Sequence, residues 1–478
     1  MRRVMLIYPP GKRYQRGEDR SQGNVEDSTA TSLRACNDLG YAAAALKRAG
    51  FAVCLRDFQG EGLPESSLLA EFDRFAPQVL MISITNATIF GDLALAARLK
   101  ARRPELVVIL KGALFFDPEP GLLAQLDLTA VDYLIGGESD FIVAALVAAH
   151  YGEGELTAIN GILYQRDGGW RKTSFACFES DLDGLVFPDR ALMRNDLYVR
   201  PDTGEPQATI VTSRGCAAAC IYCLTPIISG VKVRLRSPEN ILAELSECYH
   251  QHRICNFFFR SDTFTFRKAW VAELCEAICR SELAGKIRWV ANSRTRPLDL
   301  EVLTMMRRAG CWLVAFGFES GSPETLQRIK KGATLEDNLA AARYARQAGL
   351  KTFGFYLVGF PWESREHLKA TQEMIFTIDA DFMELHLAIP YYGTPLYRLA
   401  QEEGLIKESV LGRDYFNPPA IGTRHLSFEE LIAFRKRLLL RYHTRPSYLA
   451  RRLGEALANP RLLASYLRFG RRLLRQTL

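Results

Sequence analysis

No apolar run in this 478-residue sequence approaches the length of a membrane span, which argues against a helix crossing a bilayer. The stretch Val4 to Tyr8 is cut at once by Pro9 and Pro10, too short for the core of a signal peptide. A cytoplasmic address is therefore expected, and in that reducing compartment the eleven cysteines are expected as thiols or metal ligands rather than disulfides. Also missing is a GxGxxG turn after the first apolar run. Pro9, Pro10 and Gly11 stand there instead, which argues against a dinucleotide site. The body of the chain lacks net charge. Of the total of +7, a surplus of eight comes from Arg441 onward, where nine arginines meet the single Glu455, so residues 1–440 sum to about minus one. That balance leaves no broad phosphate-binding face, and no nucleic-acid partner is expected.

What is present begins with bulk. At 48% hydrophobic and 24% charged, the chain is long enough for two cores and an appendage. From Val4 to about Tyr151, short β-branched runs alternate with helical stretches, the pattern of a parallel sheet covered by helices. Candidate strands are Val4 to Tyr8, Ala52 to Asp57, Val79 to Ile84, Leu106 to Leu110 and Tyr133 to Gly136. Small or polar residues follow them: Ser83 and Thr85, then Gly112, then Gly136, Gly137 and Glu138. Ligands of open α/β sheets sit at these carboxyl ends. Residues 152–208 read as a connection holding a small hairpin around Asp167, Gly168 and Gly169, with the domain boundary between Asp181 and Asp202.

The chemistry is concentrated in one segment. A strand from Thr209 runs through Arg214 and Gly215 into Cys216, Cys220 and Cys223, a tight CxxxCxxC loop. Four thiolates would complete an iron–sulfur cubane, whereas three leave one iron with an open coordination position. A zinc site would call for a second CxxC or HxxxH pair nearby, and there is none. Arg214 is placed to offset the thiolates. Cys275 and Cys279, four apart in a helical run, read as core thiols, and Cys36, Cys54, Cys177, Cys248, Cys255 and Cys311 are scattered.

CxxxCxxC at the end of the first strand of an α/β repeat resembles the radical S-adenosylmethionine (SAM) superfamily. Downstream strand candidates support the likeness: Phe257 to Arg260, Arg288 to Ala291, Leu313 to Phe318, Lys351 to Leu357 and Phe382 to Ile389. The elements ahead of the cysteines resemble the cobalamin-binding domain of the group that includes radical C-methyltransferases and the anaerobic chlorophyll-ring cyclase. The resemblance implies an α/β chain: a Rossmann-like cobalamin-binding domain over 1–151, a linker over 152–208, a partial (β/α)6 barrel over 209–395 and a basic helical region over 396–478.

It further implies a [4Fe–4S] cluster on Cys216, Cys220 and Cys223, and S-adenosylmethionine held by Tyr222, Asp262, Arg294, Glu319, Ser320 and Gly359. Cobalamin would lie on Ser83, Thr85, Gly112, Gly136, Gly137 and Glu138. One departure stands out. Many cobalamin domains carry Asp-x-His-x-x-Gly after the first strand, and this sequence has no histidine before His150, so no histidine of this domain would hold the lower axial face.

The activity implied is methylation of an unactivated carbon of a small molecule or lipid-like intermediate, driven by an external electron donor such as a flavodoxin or ferredoxin. Ring formation without methyl transfer is the alternative within the family, and a non-catalytic redox sensor the alternative outside it. Asp262, Glu319 and Glu363 around one mouth disfavour the sensor. Tyr391 and Tyr392 are candidate substrate contacts, while His386 reads equally as a core histidine. Residues 427–478 read as amphipathic helices whose leucines dock on the barrel; a basic amphipathic terminus also suits an anionic membrane.

Overall fold

The computed structural model describes residues 1–17, 23–26, 28, 33–175, 178–414, 418–419 and 421–477. Cys177 lies outside them. The first seven strands are β1 (Arg3–Tyr8), β2 (Ala52–Asp57), β3 (Val79–Ser83), β4 (Val107–Lys111), β5 (Tyr133–Ile135), β6 (Ile162–Arg166) and β7 (Gly169–Lys172). They form one sheet in the order β2-β1-β3-β4-β5-β6-β7, parallel through β5.

Alternation along β1 explains why helices cover both faces. Val4, Leu6 and Tyr8 pack toward helices Asn37–Arg48 and Ser139–His150, while Met5 and Ile7 pack toward Glu65–Phe75 and Ile89–Arg102. A strand buried on both sides reads as a continuous apolar run, as β1, β3 and β4 do. The hairpin expected inside the connection pairs with this sheet, with β6 antiparallel to β5 from Tyr133↔Tyr164 to Ile135↔Ile162.

Six more strands build the second unit: β8 (Gln207–Val211), β9 (Asn256–Arg260), β10 (Arg288–Ser293), β11 (Cys311–Glu319), β12 (Lys351–Val358) and β13 (Phe382–Leu387). They are parallel and lie side by side in sequence order, joined by helices, as in a partial (β/α)6 barrel. Period-two alternation again sorts the side chains. Tyr356 and Val358 join the core under the helices, whereas Phe353 and Phe355 point to the other face. The same helical layer explains the thiols: Cys275 is buried in it, and Cys279 on the same helix is exposed rather than in the core.

The connection and the tail brace this unit. Arg190 and Arg236, both fully buried, share the carboxylate of Glu244 at 2.7 and 2.5 Å. Helix Phe428–His443 donates Tyr442 Oη to Ala380 O at 2.6 Å, and Arg445 pairs with Asp379 at 2.7 Å, so the tail is fastened at the amino end of β13.

Candidate active site

The cysteine loop is held by backbone contacts that its sequence makes possible. Gly215 has φ +87, and a Cβ there would collide with Lys232 O, so glycine is required for the turn. Its N–H donates to Asp262 Oδ2 at 2.9 Å, Cys216 N donates to Gly230 O at 3.1 Å and Ile221 N to Ile329 O at 3.1 Å. Cys216, Cys220 and Cys223 fall into one packed cluster with Ala218 and Tyr222. Thr263 Oγ1 lies 3.6 Å from Cys216 Sγ, and Thr225 N donates to Cys223 Sγ at 3.4 Å. Burial pushes the Cys220 thiol up, opposed by the nearby Lys331 ammonium.

Beside the thiols opens a cavity of about 270 Å³. Its floor comes from the carboxyl ends of the barrel strands: Asp262 after β9, Asn292 on β10, Gly317 and Glu319 on β11, Phe355 and Leu357 on β12, Glu384 and His386 on β13. Tyr222, Cys223 and Tyr391 line it as well, and Gln15, Asn24, Ser28 and Arg34 of the N-terminal unit close it from above.

The expected S-adenosylmethionine residues divide into two groups. Tyr222, Asp262 and Glu319 line the cavity. Glu319 sits at φ +61 and accepts from Lys331 Nζ at 2.7 Å in a buried pair. Burial works against the Lys331 charge, but the Glu319 carboxylate holds that ammonium above its ordinary value. Arg294, Ser320 and Gly359 stand behind the wall. Arg294 donates to Lys331 O. Ser320 Oγ lies 3.0 Å from Thr371 Oγ1 and accepts from Ser322 N at 3.2 Å. Gly359, at φ +92, donates to Glu363 Oε2 at 2.7 Å. Glu363 is buried beneath the same loop, receiving Phe360 N and Thr325 Oγ1, and burial pushes its carboxyl up to about 7. It therefore shapes the loop and does not face the mouth.

A second, smaller cleft lies where the N-terminal sheet meets the cysteine loop. Gly112, Gly136, Gly137 and Glu138 line it, opposite Ser213, Arg214 and Arg260. Glu138 is also a strut, paired with Arg234 at 2.7 Å. Ser83 and Thr85 are absent from the lining. Ser83 Oγ donates to Asp38 Oδ2 at 2.7 Å, a carboxylate that also receives Tyr8 Oη at 2.5 Å and Lys111 Nζ at 2.9 Å. Burial alone pushes Asp38 up, yet Lys111 and these donors hold it below the usual carboxylate range. Thr85 Oγ1 lies 3.3 Å from Thr88 Oγ1. Ser83 and Thr85 are thus turned to partners within the unit. One opening lies beside the ends of β1 and β3, lined by Pro9, Pro10, Ala87 and Thr88, near the switch point where such sheets commonly take ligands, and another lies over β4 and β5.

Residues 210–375 match the Radical SAM superfamily model. The chain carries a radical SAM domain. Among curated proteins it is 28% identical over 400 residues to an uncharacterized methyltransferase of Pyrococcus horikoshii, covering 84% of this chain and 86% of that one. It is 26% identical to the anaerobic magnesium-protoporphyrin IX monomethyl ester cyclase of a Synechocystis strain, covering 85% and 80%. Among solved structures it resembles TsrM of Kitasatospora setae, a radical S-adenosylmethionine methyltransferase determined with cobalamin and a [4Fe–4S] cluster. That match has a TM-score of 0.66 at 19% identity and covers 85% of this chain and 76% of that one; it extends the likeness in fold beyond the radical SAM domain.

The residues present suit the groups such a domain uses. The three thiols clustered on one loop are the ligand type that an iron–sulfur centre takes. Asp262, Asn292 and Glu319 set hydrogen-bonding groups beside those thiols, as an ammonium and ribose hydroxyls require. In the smaller cleft the Ser139 hydroxyl is buried without a partner, leaving a polar group for a ligand edge to meet.

Two features escaped the sequence analysis: Lys331, and the pairing of Glu384 with His386, the histidine itself having been read as equally a core residue. Lys331 lies in a loop with no periodic signal. Glu384 and His386, 3.2 Å apart, were legible in principle, because residues two apart on a strand share a face. Of the two tyrosines singled out, Tyr391 lines the cavity, while Tyr392 turns to Gln125 of the N-terminal unit at 3.3 Å.

Proposed function

We propose that this protein is a cobalamin-dependent radical SAM enzyme that methylates an unactivated carbon of a small-molecule or lipid-like substrate. The observation that carries the reading is a shared wall. Ser213 and Arg214, leading into the cysteines, border the cleft at the N-terminal sheet, while Cys223, the last of the three, borders the cavity at the barrel mouth. A methyl carrier and a radical source on the two sides of one loop would address the same substrate.

Cys216, Cys220 and Cys223 would hold the cluster, Asp262, Asn292 and Glu319 the S-adenosylmethionine, and Gly112, Gly136, Gly137 and Ser139 an edge of the corrinoid. Together these groups supply one-electron radical chemistry and a methyl carrier. The chain's own part is orientation and shielding. Phe355, Leu357 and Tyr391 give the cavity apolar walls, which exclude water from a reactive site. Glu384 and His386 form a polar pair on the cavity wall, and Ser28 and Arg34 cap it from the N-terminal unit.

The electron would come from an external donor of the flavodoxin or ferredoxin class. A reducing cytoplasm suits a chain whose described cysteines form no disulfide. The Synechocystis relative favours a second reading, ring formation without net methyl transfer.

One experiment separates them. Protein reconstituted anaerobically with iron and sulfide is assayed for retained cobalamin, for 5′-deoxyadenosine and, with methyl-deuterated S-adenosylmethionine, for label in product. Retained cobalamin, deoxyadenosine and labelled product support methylation. Deoxyadenosine with unlabelled product supports ring chemistry, and a cluster yielding no deoxyadenosine under any reductant sinks both.

A further inference from the structure

The last two helices expose rows of leucines, and the first of the two turns its charges inward. In Pro446–Ala458, Arg451 and Arg452 reach back to Asp379 and Asp381 at 3.1 and 3.3 Å, and Glu455 pairs with Lys351 at 2.7 Å. Its solvent face is left to Leu449, Leu453 and Leu457, which are 53, 59 and 75% exposed. Their four-residue spacing makes one row. Ala450, Gly454 and Ala458 are exposed beside them, so from Leu449 to Ala458 the exposed positions carry no polar side chain. In Arg461–Thr477, Leu463, Leu467 and Leu474 are again about half exposed, bordered by exposed Arg468, Arg471 and Arg475. An ordinary surface helix does the reverse, and a contiguous exposed apolar face marks a contact surface.

We propose that this face docks in the plane of an anionic lipid surface. From Leu440 onward every exposed charged side chain among the described residues is an arginine, and arginines around an apolar row complement anionic headgroups while the leucines enter the acyl boundary. A second copy on the same face would set arginines against arginines, which association disfavours. No described helix is long and apolar enough to cross a membrane, so the contact lies in the interface. The inward side of the last helix reaches the substrate cavity. On Arg461–Thr477, Arg472 donates to Ser28 O at 3.1 Å, and Ser28 lines the cavity and donates to Glu384. The proposal stands whether or not the methylation reading does.

The test is flotation of the full-length protein with vesicles of phosphatidylcholine alone or of phosphatidylcholine with phosphatidylglycerol. Binding to the anionic vesicles is expected about tenfold or more above the neutral ones, reversed by high salt. It should be lost in Leu453→Glu/Leu457→Glu and weakened about tenfold or more in Arg468→Glu/Arg471→Glu, with circular dichroism unchanged in both. The proposal falls if folded wild-type protein floats with neither vesicle, if it floats equally with both, or if the leucine variant still binds. It also falls if sedimentation shows self-association, or co-purification shows a protein partner, that the leucine variant abolishes without any vesicle binding. Salt reversal on the wild type tests it even if a variant misfolds.

Discussion

Arg214 Nη2 lies 2.5 Å from Asp140 Oδ2, and both side chains are 5% exposed. The guanidinium two residues ahead of Cys216 does not simply balance thiolates, as its position in the sequence suggests. It ties the cysteine loop to the first turn of helix Ser139–His150, across the interface of the two units.

Asp140→Ala therefore loosens that interface without stripping the cluster. Arg214 keeps Glu138 at 3.5 Å, so the loss is expected at the scale of one charged hydrogen bond, about 1.5–3 kcal/mol. Iron content and absorbance should match wild type, while the ratio of methylated product to deoxyadenosine falls. An unchanged ratio would show that the clasp does not position the two cofactors.

Cys216→Ala, Cys220→Ala and Cys223→Ala should each abolish deoxyadenosine formation and deplete bound iron, because each removes a ligand the fold places in the one packed cluster. Cys275→Ala, in the helical layer, should keep full iron content and lose about 1–2 kcal/mol of stability to a small cavity. Iron analysis on the four variants decides it.

Breaking the buried trio is more severe. Glu244→Gln leaves Arg190 and Arg236 charged and fully enclosed, and removing one partner from such a pair costs about 3–5 kcal/mol. Urea midpoints should fall accordingly, whereas Lys268→Ala, which breaks a surface pair with Asp299 and Glu301, should change stability by less than about 1 kcal/mol.

Two buried groups set opposite slopes of stability against pH. Burial raises Glu363 from its ordinary 4.5 to about 7, so as pH rises through that window the unfolded chain releases a proton that the native state retains. Its contribution to stability then falls by about 3 kcal/mol. Burial lowers His443 from 6.5 to about 4, so its contribution falls by a similar amount as pH drops from about 6.5 to about 4. Relative to wild type, Glu363→Gln should gain stability and His443→Gln should lose it on going from about pH 5 to about pH 7. Urea midpoints along that series check both signs.

Much of this was legible in the linear sequence. The thiol cluster could be foreseen from Cys216, Cys220 and Cys223, because three ligands within eight residues need only a local turn to meet, and Gly215 marks that turn. The strands could be foreseen because burial on both faces demands unbroken apolar runs, as in Val79–Ser83. Charge position pointed to a basic amphipathic tail, but the expectation that its leucines dock on the barrel fails on Pro446–Ala458, where Leu449, Leu453 and Leu457 are exposed and Arg451 and Arg452 face inward. What only the tertiary structure decided is where each polar side chain finds its partner. Ser83 and Glu138 both follow strands, yet one closes on Asp38 and the other borders the open cleft. Glu319 faces the cavity while Glu363 folds under its own loop, and the tail's arginines turn inward to Asp379 and Asp381. Local sequence specifies turns and periodicity over a few residues, but these pairings join groups tens of residues apart, whose meeting is set by how the sheets and helices pack.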